Sequence, residues 1–311
     1  MGSFDLDDLR ELKEDFATEL RRKNRSKNTI DGYLVRIDYL VEYLIENNLP
    51  TLAPAVTRDH LGSFIESLLT RPNKRTGKPL SAEYARGHYR ALQQFFKYLA
   101  AEEVILSNPF DKMTLPDAPE VLVPVPPDDQ LRALLAECAG NTFEDLRDTA
   151  IIRMFTDTGC RVGELAGADT DDLDFEENSM LVTGKGGRPR SCPFGDKTRI
   201  ALRKYLRARA KHPKARNDEP ALWLGHRGRM TDHGIRQMLE RRAAAAEIDH
   251  IHPHQLRHWF AHTWLENGGQ EQDLMMLAGW RSRQMIGRYA KSVADQRAKT
   301  AHRRARLGDK L

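Results

Sequence analysis

The side chains best suited to chemistry crowd the stretch from His250 to Tyr289. His254, Arg257 and His258 come first, Trp280 follows Gly279, and Tyr289 stands at the end. A phenol is a poor nucleophile at neutral pH, because its pKa is ~10. It becomes effective against a phosphate surrounded by cationic donors that bind the developing charge. Two further cations stand upstream. Arg161 follows the glycine break in TGCRVGEL (158–165), with Glu164 three residues on, and Lys185 sits in the turn Gly184-Lys185-Gly186-Gly187. A lysine on a hairpin tip can bring a proton to a leaving group. Each feature also has an ordinary reading. Arg161 and Glu164 can be a local ion pair at a helix start, Lys185 a solvated turn residue, and the histidines core or surface groups.

Other chemistries fit less well. His252, His254, His258 and His262 lack an Asp, Glu or Cys at ligand spacing, and HExxH is absent, so no metal is expected. The Gly-Lys-Gly-Gly run lacks the GxxxxGK[ST] pattern of a phosphate loop, so no nucleotide cofactor is expected either. Tyr205 is the rival phenol, but no arginine–histidine constellation accompanies it. Cys138, Cys160 and Cys192 are odd in number and widely spaced, which excludes a disulfide or zinc framework and leaves small apolar fillers.

The elements that must position these groups follow from pattern. The chain has 311 residues, 40% hydrophobic and 30% charged, enough for two globular domains. No apolar run reaches the ~20 residues of a membrane span. The acidic start lacks an apolar h-region, so a cytoplasmic protein is expected. Net charge is only +4, but the cations cluster: Arg21 to Lys27, Arg71 to Lys78 with Arg86, Arg90 and Lys97, then Lys185, Arg188 and Arg190, and finally Arg303 to Arg306. Clustered Lys/Arg fits a polyanion partner.

Apolar residues at helical spacing predict helices over Leu6–Leu20, a second through Leu44 capped by Ser26 or Asn28, a third from Thr57 and a fourth capped by Ser81. Residues 1–112 thus form a helical domain. Pro116, Pro119, Pro124, Pro126 and Pro127 make 113–127 an extended linker, which would let two domains clamp a ligand. Residues 128–311 begin with a helix capped by Asp128 or Asp129, continue with a helix over about Phe143–Asp157, and change character at 172–194. There, alternating Leu173, Phe175, Leu181 and Val182 with the glycine turn predict a small three-stranded antiparallel sheet. Helices resume over Asp196–His212, Thr231–Glu247, Pro253–Asn267, Glu271–Ala278 and Ser282–Tyr289.

The combination of Arg161 in TGCRVGEL, Lys185 on a hairpin, His254 and Arg257 in HPHQLRH, Trp280 in LAGW and Tyr289 in GRYAK resembles the tyrosine recombinases, or phage integrase family. The likeness covers essentially the whole chain. It implies a mainly α fold: an N-terminal helical (SAM-like) core-binding bundle, then an α+β catalytic domain with a small three-stranded antiparallel sheet. It implies that Tyr289 attacks the scissile phosphate and becomes joined to the DNA 3′ phosphate. Arg161 and Arg257 would hold the non-bridging oxygens, Lys185 would protonate the leaving 5′ oxygen, and His254 would assist proton transfer. Trp280 replaces a histidine common in the family, and would donate its indole N–H and pack the tyrosine-bearing helix. Glu164 matches an acidic supporting position. The implied partners are double-stranded DNA at a core recombination site and further copies of the chain, four acting through a Holliday junction, with the tail (about 292–311) docking on a neighbour. No extra arm-binding domain precedes the helical bundle, so simple core sites are expected. A type IB topoisomerase and an inactive DNA-binding protein are the alternatives.

Overall fold

The computed structural model describes residues 6–73, 77, 79–118, 124–184, 187–215, 219–280, 282, 286–287 and 302–303. The chain divides into two compact units, Met1–Val121 and Leu122–Leu311.

In the first unit, polar caps set the helix starts. Helices α1 (Leu9–Arg22), α2 (Lys27–Glu46), α3 (Arg58–Thr70) and α4 (Ala82–Ala101) are capped by Asp8, Ser26, Thr57 and Ser81, each side chain accepting from an N–H of the first turn. Helix α1 starts later than the spacing predicts. Leu6 lies outside it, 78% exposed, because Asp8, extended at φ −71° and ψ 137°, caps the helix. The apolar faces bury Leu9, Phe16, Ile37, Leu40, Leu61, Phe64, Leu92, Phe95 and Phe96 in one core. Asn108 caps a short 3-10 turn that buries Phe110, and the Tyr89 hydroxyl donates to Met113 O at 2.8 Å. These contacts hold the chain leaving α4 against its own bundle.

The second unit opens with α5 (Asp128–Glu137), whose N-cap is Pro127 rather than either aspartate. Asp128 instead accepts from Trp259 Nε1 at 2.8 Å, so it ties α5 to a distant helix. Helix α6 (Phe143–Thr158) carries Ile151, Ile152, Met154 and Phe155 into the core and ends at Gly159. Gly159 has φ +57°, and a Cβ there would stand 2.2 Å from the Phe260 ring. Only glycine meets both conditions without strain. Helix α7 (Val162–Ala166) follows at once.

Strands β1 (Leu173–Asp174), β2 (Ser179–Gly184) and β3 (Arg188–Pro193) form an antiparallel sheet in the order β1-β2-β3. Helix α8 (Asp196–Arg209) packs on α6. A second hairpin, β4 (Leu224–Gly225) with β5 (Gly228–Arg229), is too short for alternation to announce it. It sits beside the fully buried Trp223. Helices α9 (Asp232–Ala245), α10 (Pro253–Glu266) and α11 (Glu271–Ala278) complete the described elements. The segment expected to be helical over 282–289 lies mostly outside the described residues. Among these, Ile286 is 2% exposed and packs with Phe260, Leu265, Leu274 and Trp280.

Candidate active site

The site is built on the C-terminal end of α11. A helix leaves its last carbonyls without intrahelical donors and carries negative partial charge there. Gly279 closes α11 in the left-handed conformation, φ +64°. Three arginines from three elements donate to the carbonyls beside it. Arg190 Nε on β3 reaches Leu277 O at 2.9 Å, Arg257 Nη2 on α10 reaches Ala278 O at 2.6 Å, and Arg161 Nη2 before α7 approaches Gly279 O at 3.4 Å. Arg257 also donates Nη1 to Gly159 O, a carbonyl left without an intrahelical donor where α6 ends. A single planar guanidinium thus bridges two helix ends.

Arg257 is 3% exposed, and its guanidinium carbon lies 5.3 Å from the centroid of the Trp280 ring. Trp280 is 6% exposed and packs in the cluster of Phe260, Ala261, Leu265, Leu274, Ala278 and Ile286. The indole is therefore a wall behind the arginine as well as a possible donor. His254, one turn before Arg257, is exposed, and its ring lies 4.2 Å from that of the buried His258.

Arg161 sits at the N-cap of α7, where the Glu164 carboxylate accepts from its backbone N and its Nη1, both at 2.7 Å. Glu164 also takes a fork from Arg190, Nη1 at 2.9 Å and Nη2 at 2.7 Å. Burial alone would raise the Glu164 carboxyl, but the hydrogen bonds from Arg190 and Arg161 outweigh it and hold it at about 2. Three arginines against one carboxylate leave the cluster net positive, which suits a phosphodiester.

A pH dependence follows. The folded pKa of Glu164 lies below its ordinary 4.5, so its contribution is complete above about pH 4.5 and is lost as pH falls towards 2. The difference corresponds to about 3 kcal/mol. Urea unfolding at pH 7 and pH 3 should show a stability loss in the intact protein that shrinks by about 2 kcal/mol in Glu164→Gln, because at pH 3 only part of the contribution is lost. An unchanged loss in the variant would mean that other carboxylates carry it.

The sequence-predicted residues divide as follows. Arg161, Arg257 and Trp280 gather around the end of α11, and His254 stands on the same helix as Arg257. Lys185 and Tyr289 lie outside the described residues. Arg190 belongs to the Lys185, Arg188 and Arg190 cluster that fits a polyanion partner, but its side chain is 13% exposed and paired with Glu164. The signal was present in the strand period. Arg190 pairs with Val182 and shares the face of Met180 and Cys192, all buried. Tyr205 is excluded as a rival nucleophile. It is fully buried, donates to Leu222 O, accepts from Leu224 N, and burial pushes its hydroxyl up to about 12. Among the described residues, no three His, Cys, Asp or Glu side chains group closely enough to hold a metal ion.

Residues 127–296 match the phage integrase family. The tyrosine recombinase XerC of Alcanivorax borkumensis is 34% identical over 268 residues, covering 85% of this chain and 83% of that protein. The chain belongs to the phage integrase family. Solved structures of tyrosine recombinases share the fold. The XerH site-specific recombinase, bound to a palindromic difH substrate after cleavage, matches with a TM-score of 0.71 at 18% identity, over 94% of this chain and 84% of that one. A lambda integrase tetramer bound to a Holliday junction matches with a TM-score of 0.65 at 16% identity, over 88% of this chain and 78% of that one. The arginine cluster is therefore a site in a chain whose relatives are tyrosine recombinases.

Proposed function

We propose that this integrase-family protein is a site-specific DNA recombinase that breaks and rejoins DNA through a phosphotyrosine, with the arginine cluster at the end of α11 as its phosphate cradle. The observation that carries this reading is the anchoring of Arg257 and Arg161 on the Ala278 and Gly279 carbonyls. Guanidinium groups held in this way offer fixed N–H donors to the equatorial oxygens of a phosphoryl transition state, and need not reorganise as charge develops.

In the cycle, the Tyr289 oxygen attacks phosphorus as its proton is withdrawn, with His254 assisting. The bond to the 5′ oxygen breaks, Lys185 supplies the proton to that oxygen, and the 3′ phosphate stays on Tyr289. A 5′ hydroxyl from another strand reverses the step with the proton transfers reversed. The phosphoester bond is exchanged rather than hydrolysed, so neither metal nor nucleotide is required. Four copies would join two sites through a Holliday junction, with the tail from about 292 to 311 docking on a neighbour. A lambda integrase tetramer on such a junction is among the structures of this fold.

The test mixes two differently labelled duplexes built from the sequence the protein traps covalently. Joint products carrying both labels are expected. Relaxation of supercoiled DNA without joint products would instead identify a type IB topoisomerase.

A further inference from the structure

We infer that Arg190 is a positioning residue that neutralises Glu164 and thereby keeps the charge of Arg161 available to the phosphate. This rests on the recombinase reading of the site. The Glu164 side chain is 5% exposed, so its charge must be compensated from within the protein. Two arginines compete for that role, and they do so unequally. Arg190 is itself 13% exposed and gives Glu164 a two-point fork, at 2.9 Å and 2.7 Å, while its Nε is fixed to Leu277 O. Arg161 is 42% exposed and gives one side-chain N–H, at 2.7 Å to Oε1. The pair Arg190–Glu164 is close to a self-contained ion pair, and the Arg161 charge is left over.

Without Arg190 the balance changes. Glu164 would have Arg161 as its side-chain cation, the Arg161–Glu164 pair would be neutral, and a phosphate would meet one net charge fewer. Glu164 itself cannot simply be absent, because it also accepts the Arg161 backbone N–H at the start of α7 and so fixes where that arginine begins. The three residues make one unit. Glu164 orients Arg161, and Arg190 cancels the charge that orientation introduces. Arg190 stands on β3, three residues after the Gly184–Gly187 turn, so the same strand joins the hairpin to the end of α11.

Single-turnover cleavage at saturating DNA tests this, using a nicked suicide duplex built from the trapped sequence. Arg190→Met should slow cleavage by about 100-fold with DNA affinity nearly unchanged. Arg190→Lys, which keeps the charge, should stay within about 10-fold of the intact protein. The deciding variant is Arg190→Met with Glu164→Gln. It removes both charges while the amide can still accept from Arg161 N, and it should recover to within a few-fold of Glu164→Gln alone. That double variant also has no unpaired buried carboxylate, so it remains informative if Arg190→Met does not fold. If the double variant falls about 100-fold below Glu164→Gln, Arg190 acts only by tying β3 to α11 and the inference is overturned. If Arg190→Lys is as slow as Arg190→Met, the fork matters rather than the charge, and the inference is again overturned. Failure of the intact protein to trap DNA would count against the recombinase reading itself, a separate outcome.

Discussion

Replacing Tyr289 by phenylalanine is expected to abolish covalent capture of DNA on a nicked suicide duplex, a loss of roughly 10³-fold or more. In this substrate the nick lets a short fragment diffuse away after attack, so the phosphotyrosine accumulates and is read as a slower-migrating band. The substitution removes one oxygen and little else. Phenylalanine keeps the ring. DNA affinity, read by gel shift, should therefore stay within a few-fold of the intact protein. Retention of the covalent band in Tyr289→Phe would assign the nucleophile elsewhere. Tyr205 could not take its place without unfolding, since its hydroxyl bridges Leu222 O and Leu224 N inside the core.

The second large effect is expected at Arg257. Its two terminal nitrogens bridge Gly159 O and Ala278 O, and its guanidinium carbon lies 5.3 Å from the centroid of the Trp280 ring. Arg257→Ala leaves two buried carbonyls without that donor and should destabilise the second unit by about 3 kcal/mol. It conflates folding with catalysis. Arg257→Lys separates them, because an ammonium on a flexible stem keeps the charge but not the planar fork. Arg257→Lys should melt within several degrees of the intact protein and bind DNA with similar affinity. Its cleavage rate should nonetheless fall by about 10²- to 10³-fold, as for loss of a fixed transition-state donor. A lysine variant that cleaves within about 5-fold of the intact protein would mean that charge alone suffices, and would remove the anchoring geometry from the mechanism.

The helices were legible because their signals are local. Ser26, Thr57 and Ser81 satisfy N–H groups within their own first turns, and the apolar faces repeat at the helical period whatever lies opposite. The three-stranded sheet was legible for the same reason, since side chains alternate along β2 and β3 and the turn between them is glycine-rich. Where the reading failed, a distant partner decided the outcome. Asp128 does not cap α5, because Trp259 on α10 takes its carboxylate. Arg190 is not a free surface cation, because Glu164 takes its guanidinium. The β4–β5 hairpin pairs only two residues on each side and is placed beside buried Trp223, so no periodic signal could develop.

The sequence by itself determined which side chains could serve phosphoryl transfer and their order along the chain: Arg161, Lys185, His254, Arg257, Trp280 and Tyr289. It also determined a mainly helical chain with one small antiparallel sheet, since both periods are properties of short segments. Only the tertiary structure decided what holds the arginines. Their anchors are backbone carbonyls of α6 and α11, which every residue type supplies equally and which therefore leave no mark in composition or spacing. Only the tertiary structure, too, assigned Glu164 between Arg161 and Arg190, because a buried carboxylate chooses its partners by distance, across 26 residues of chain as readily as across three.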